Sequence, residues 1–210
     1  MKGGIMNFSM RWAKPKFLKR SIFGCSAIFG SGLLVVLLFA NSAYCSYNSV
    51  RRHVTESARL YNLKQMEAQL IWKATYFSDS FRRAYEKRHI ALNHLGPVEA
   101  ARWIAEQEKQ QGLYHEFFID FYSQKEYRDF SLAATSFWQM VLTTEEGSEL
   151  QPTKIEEITL TPYERKMFPS LNRWSRGYRV LFPKVTLGKS TTLTLRSVVG
   201  KSDLTWKHLR

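Results

Sequence analysis

Five histidines, His53, His89, His94, His115 and His208, and two cysteines, Cys25 and Cys45, are the side chains from which a metal centre would be built. A zinc site needs three or four such ligands converging in fixed geometry. His89 and His94 are five residues apart, and on a helix that spacing turns them about 140° from each other at roughly 100° per residue. They do not share a face, and Arg88 beside His89 marks a solvated one. The histidines therefore read as surface or rim residues, and no metal site is expected. Both cysteines precede Ser46, so the remainder of the chain can form neither an internal disulfide nor a thiolate zinc site.

Nucleophilic and acid–base signatures are equally sparse. The one Gly-Ser-Gly triplet, Gly30-Ser31-Gly32, sits inside an apolar run, where it serves helix packing rather than a nucleophile elbow. The paired acids Glu145-Glu146 and Glu156-Glu157 occupy a turn and a strand-like stretch. Neighbours on a strand point to opposite faces and cannot act together on one bond. There is no phosphate-binding glycine loop and no dinucleotide fingerprint, so no cofactor is expected. If the chain is an enzyme, it is a hydrolase or transferase whose groups converge only in three dimensions. A deep polar pocket holding His115, Glu116 or Asp120 would favour that alternative, and a filled interior would count against it.

Charge is more informative. The chain of 210 residues carries 31 Lys and Arg against 18 Asp and Glu, a formal net charge of +13. Six of the basic residues, Lys2 through Arg20, precede the apolar run, and no acid appears before Glu56. Without that leader the net charge is +7, ordinary for an exported domain, and binding to nucleic acid is not expected. Within the C-terminal half the signs separate. Residues 113–164 hold ten acids and three basic side chains, whereas residues 165–210 hold eleven basic side chains against Asp203 alone. The segment Arg173-Trp174-Ser175-Arg176-Gly177-Tyr178-Arg179 mixes arginine with aromatics, as docking surfaces do. Arg173, Trp174, Arg176, Tyr178 and Arg179 are the candidate contact residues, for an acidic protein, an acidic envelope polymer or anionic headgroups. The plainer reading is that acidic and basic strands pair with each other in a sheet.

The elements that would position these residues begin with a membrane segment. No charge lies between Arg20 and Arg51, and Ile22–Ala40 is apolar but for small residues. Its 19 residues approach the roughly 20 needed to span a bilayer. The basic leader resists translocation, which places the domain outside the cytoplasm, periplasmic or at the cell surface. An uncleaved anchor fits best, since the run exceeds a signal-peptide core. A lipoprotein in which Cys45 carries the lipid is the next reading, although Tyr44 is bulky for that position. Cleavage near Ser42 or Cys45, releasing the domain, is the third.

The expected organisation is a leader (1–20), an anchor or signal segment (21–45), a helical stalk and subdomain (46–112) and an antiparallel β domain (113–210). Apolar residues at three- and four-residue intervals predict an amphipathic helix over Thr55–Phe77. A second helix follows Ser78 and stops at Gly96-Pro97, and a third spans Val98–Gln111 with Gly112 as its left-handed cap. Strands are predicted over Leu113–Tyr122, Ser136–Thr143, Lys154–Leu160, Gly177–Phe182, Thr191–Val199 and Asp203–Leu209, with a turn at Glu145–Ser148. The fold class is α+β: helices followed by an immunoglobulin-like β-sandwich. The alternative is a nuclear-transport-factor-like curved sheet around the helices.

Overall fold

The computed structural model describes residues 47–62, 67–134 and 137–207. The anchor segment Ile22–Ala40, the leader, Cys45 and His208 lie outside them. Among the described residues no helix is long and apolar enough to cross a membrane.

The fold is α+β with two antiparallel sheets. In chain order come α1 (residues 47–53), β1 (Thr55–Asn62), β2 (Glu67–Tyr76), α2 (Asp79–Asn93), α3 (Pro97–Leu113), β3 (Tyr114–Ser123), β4 (Gln139–Thr143), β5 (Glu149–Leu150), β6 (Lys154–Ile158), α4 (Pro162–Met167), β7 (Arg176–Pro183), β8 (Ser190–Ser197) and β9 (Gly200–Lys207). One sheet has the order β1-β2-β3-β7-β6 and the other β5-β4-β8-β9. There are two sheets rather than the single curved one of the alternative expectation.

Strand alternation decides which side chains meet. Trp72, Phe117, Phe121, Tyr178, Val180 and Phe182 of the larger sheet form one buried cluster with Met140, Leu142, Leu193, Leu204 and Trp206 of the smaller. The indole N–H groups of two core tryptophans are satisfied: Trp72 donates to Ser202 Oγ at 2.9 Å and Trp206 to the Val54 carbonyl at 3.0 Å. The other face of the larger sheet carries Phe118, which joins Phe77, Phe81 and Tyr85 from α2 and the segment before it, and Met167 and Phe168 at the end of α4. The larger sheet is thus covered on both sides, and β3 is buried along nearly its whole length, as its dense aromatics imply.

Helix α2 begins where expected, with Ser78 Oγ accepting from the Phe81 amide at 3.3 Å. Two local expectations are corrected. Thr55–Phe77 is not a helix: β1 and β2 form a hairpin, and β2 pairs with β3 from Leu70↔Ser123 to Tyr76↔Phe117. A two-residue alternation, Leu70, Trp72, Ala74 and Tyr76, all buried, coexists with the helical spacing, and pairing with a neighbour strand selects it. Gly112 does not cap α3, because the helix runs through it to Leu113 and passes straight into β3, with Tyr114 extended. The left-handed cap belongs to α2, at His94 (φ 52°).

Candidate ligand cleft

The outward side chains of β2 and β3 and the loop after α4 enclose a cleft of about 740 Å3, within the roughly 300–1,000 Å3 usual for small-ligand sites. Its floor is set by the sheet. Leu70, Trp72 and Ala74 point into the core, so Ile71 and Lys73 of β2 and Asp120 and Tyr122 of β3 face the opposite way into the cleft. Lys73 and Asp120 are direct cross-strand partners.

The cleft wall is a turn. Phe168 stacks flat on Phe118 with ring centres 3.6 Å apart, and Leu171 is buried, so both ends of the approach are pinned. The Ser175 amide then donates to the Asn172 carbonyl at 3.2 Å, and Asn172 Oδ1 accepts from the Trp174 amide at 2.7 Å. Asparagine at the first position of such a turn stabilises it through its side chain. Arg173 and Trp174 are left at the tip. Trp174 is 51% exposed, with the guanidinium groups of Arg173 and Arg128 at 4.6 and 5.2 Å from its ring centre.

Asp120 is the buried acid of the cleft. Desolvation raises its carboxyl above the usual range, while hydrogen bonds from Ser170 and Ser175 and the charges of Lys73 and Arg51 pull it back. The other two residues that an enzyme reading singled out are engaged elsewhere. His115 is buried, with Nδ1 3.0 Å from the Tyr76 hydroxyl and Nε2 2.7 Å from the Val185 carbonyl. Burial lowers its pKa and favours the neutral ring. Glu116 is 2% exposed and lies between Arg82 at 3.0 Å and Arg179 at 2.9 Å.

The five candidate contact residues do not share one surface. Arg173 and Trp174 stand at the turn tip. Tyr178 is fully buried in the inter-sheet core and is corrected from a contact to a core residue. Arg176 makes two bonds to the Glu157 carboxylate, at 2.8 and 2.6 Å, and donates to the Arg128 carbonyl. Arg179 faces the opposite side of the sheet from Tyr178, against Glu116. The separated charges pair much as the plainer reading held, in Glu116–Arg179, Glu157–Arg176 and Glu149–Arg196. Among the described residues Arg128 and Arg173 have no ion-pair partner. Glu156 and Glu157 do point apart: Glu156 accepts from Lys154 at 2.7 Å, whereas Glu157 accepts from Arg176. Arg128 and the buried Asp120 were missed as neighbours of Trp174; they come from three separate stretches of chain that only the fold brings together, and nothing local in the sequence signals it.

The histidines also differ from the surface reading. His53 and His94 are exposed, but His115 is buried, and His89 is half-buried in a second, smaller cleft, stacked on Trp103 at 4.0 Å and hydrogen-bonded to the Tyr163 hydroxyl. Among the described residues no three His, Cys, Asp or Glu side chains gather as a metal ion would require. Comparison with known proteins returns nothing: no protein-family model matches the chain, no curated protein matches it and no solved structure matches it.

Proposed function

We propose that this chain is a membrane-tethered, extracytoplasmic interaction domain whose cleft receives an acidic partner or envelope component. The observation that carries this reading is the exposed Trp174 at the cleft rim, with Arg128 and Arg173 against its ring and outside the ion pairs that absorb the neighbouring arginines. Guanidinium groups beside an exposed aromatic suit the recognition of carboxylates or phosphates. The tether is the proposed role of Ile22–Ala40, with Cys45 as the lipid attachment point if the chain is a lipoprotein; the basic leader supports the orientation. In architecture we read the domain as a β-sandwich of immunoglobulin-like kind with its own strand order. Three consecutive strands, β1-β2-β3, stay in one sheet, where an immunoglobulin domain sends its third strand to the other.

The test is charge reversal at the rim. The double substitution Arg128→Glu and Arg173→Glu is expected to weaken retention of the full-length protein on an immobilised polyanion by about tenfold or more, since two charge-assisted contacts are lost. Unchanged retention and an unchanged set of co-purifying proteins would refute the reading.

One observation favours an exported hydrolase or transferase instead: Asp120, with its raised pKa, lines the cleft beside Ser170 and Ser175. That reading predicts turnover abolished in Asp120→Asn, whereas a binding cleft has no turnover to lose.

A further inference from the structure

The polar groups of the cleft are spaced around an apolar platform, and this limits what can fill it. Trp174 offers a half-exposed indole, and Ile71 and the Tyr122 ring extend the apolar surface across the floor. Around that surface stand groups with hydrogen-bonding capacity left for a hydroxyl: the Asp120 carboxyl, which Ser170 and Ser175 already hold from one side, and the Asn172 side-chain NH2, whose Oδ1 is taken by the turn. A hydroxyl donates one hydrogen bond and accepts two, so it matches this mixed ring where an acyl chain or a plain phosphate would not. At the rim, Arg173 and Arg128 hold their guanidinium groups 4.6 and 5.2 Å from the Trp174 ring centre, and such planar forks match a carboxylate in two parallel hydrogen bonds. Lys73 lines the interior as a further cation.

A pyranose bearing a carboxylate has complementary parts: a face of C–H groups for the indole, a fringe of hydroxyls for the Asp120 carboxyl and the Asn172 amide, and one anionic substituent for the arginines. We propose that the cleft is a subsite for a uronic-type sugar unit of an acidic polysaccharide. The inference rests on the acidic-partner reading and narrows it to a saccharide. Asp120 acts as the hydroxyl reader, the sugar face takes the place of a guanidinium on the half-exposed Trp174 ring, and the arginines at that ring turn onto the carboxylate. An acidic polypeptide would engage the same arginines but has neither the C–H face nor the hydroxyl fringe to use Trp174 and Asp120.

The experiment titrates the full-length protein, and its Asp120→Asn and Trp174→Ala variants, with three probes of matched length: oligogalacturonate, oligoglutamate and neutral dextran oligosaccharide. Anionic phospholipid vesicles form a fourth arm. The proposal expects oligogalacturonate to bind more tightly than oligoglutamate, and each single substitution to weaken oligogalacturonate binding by about tenfold while leaving oligoglutamate binding within about twofold. Trp174 is half in solvent, so its removal keeps the test valid even if Asp120→Asn disturbs folding. Equal binding of both anions, untouched by either substitution, overturns the saccharide assignment and leaves the acidic-partner reading standing; vesicle binding without oligogalacturonate binding does the same. Oligogalacturonate bound only as weakly as dextran overturns it outright. Failure of every anion overturns both readings.

Discussion

Replacing Glu116 by Gln tests the charge logic of this domain most directly. The Glu116 side chain is 2% exposed, Arg82 is 4% exposed at 3.0 Å, and Arg179 is 31% exposed at 2.9 Å. Arg179 can turn back to water once its partner is gone, so its loss counts for little. Arg82 cannot, because it is enclosed by α2 and β3 and lies over the Phe77 ring at 5.3 Å. The network has no reserve: Arg82 Nε has no hydrogen-bond partner among the described residues, and Arg179, though close to Glu116 Oε1, is poorly aligned as a donor. Removing one member of a buried pair costs about 3–5 kcal/mol. At about 2–4 °C per kcal/mol for a domain of this size, the melting temperature should fall by roughly 6–20 °C. Urea unfolding followed by circular dichroism measures the free energy directly. The apolar double replacement Arg82→Met with Glu116→Leu should recover most of it or exceed the parent, because desolvation of both charges is avoided. A cost below about 1 kcal/mol for Glu116→Gln, typical of a solvated pair, would refute the account of Glu116 as a buried counterion.

Burial raises the native pKa of Asp120, so at pH values between its unfolded and native pKa the native state holds more protons than the unfolded state. Stability then falls as pH rises through that window; relative to Asp120→Asn, the parent should lose stability from about pH 4 upward and hold a constant difference below it, as read from urea midpoints across pH. Two glycines should respond with opposite sign. Gly188→Ala forces a φ of 77° on a side chain whose Cβ would meet Glu145 Cβ at 2.6 Å, costing about 1–3 kcal/mol, whereas Gly112→Ala sits within α3 with no heavy atom within 4 Å of the added carbon and should stabilise by about 0.5–1 kcal/mol; thermal melts of the two variants decide it.

Local chemistry was legible wherever it acts on a few neighbouring residues. Ser78 as a helix cap, the stop near Gly96-Pro97, the turn at Glu145–Ser148, where Gly147 takes φ 83°, and the pairing of Leu193 with Leu204 all follow from backbone preferences and side-chain alternation. The division of charge at about residue 165 was also visible, although its outcome was not. Whether an arginine is free or paired depends on the strand beside it, and Glu157 reaches Arg176 only because β6 and β7 are neighbours in the sheet.

The sequence by itself determined the α+β class, the two central helices, most of the strands and the absence of thiols after Cys45, because periodicity and turn chemistry act within a few residues. Tertiary structure alone decided that residues 55–76 pair as a hairpin and that Tyr178 faces the inter-sheet core while Arg179 faces the other side of the sheet, against the buried Glu116. It also decided that Asp120 and Trp174, far apart along the chain, line one cleft, with Arg128 against the Trp174 ring. Those outcomes depend on strand order and register, which are set by the burial of whole sheet faces against each other.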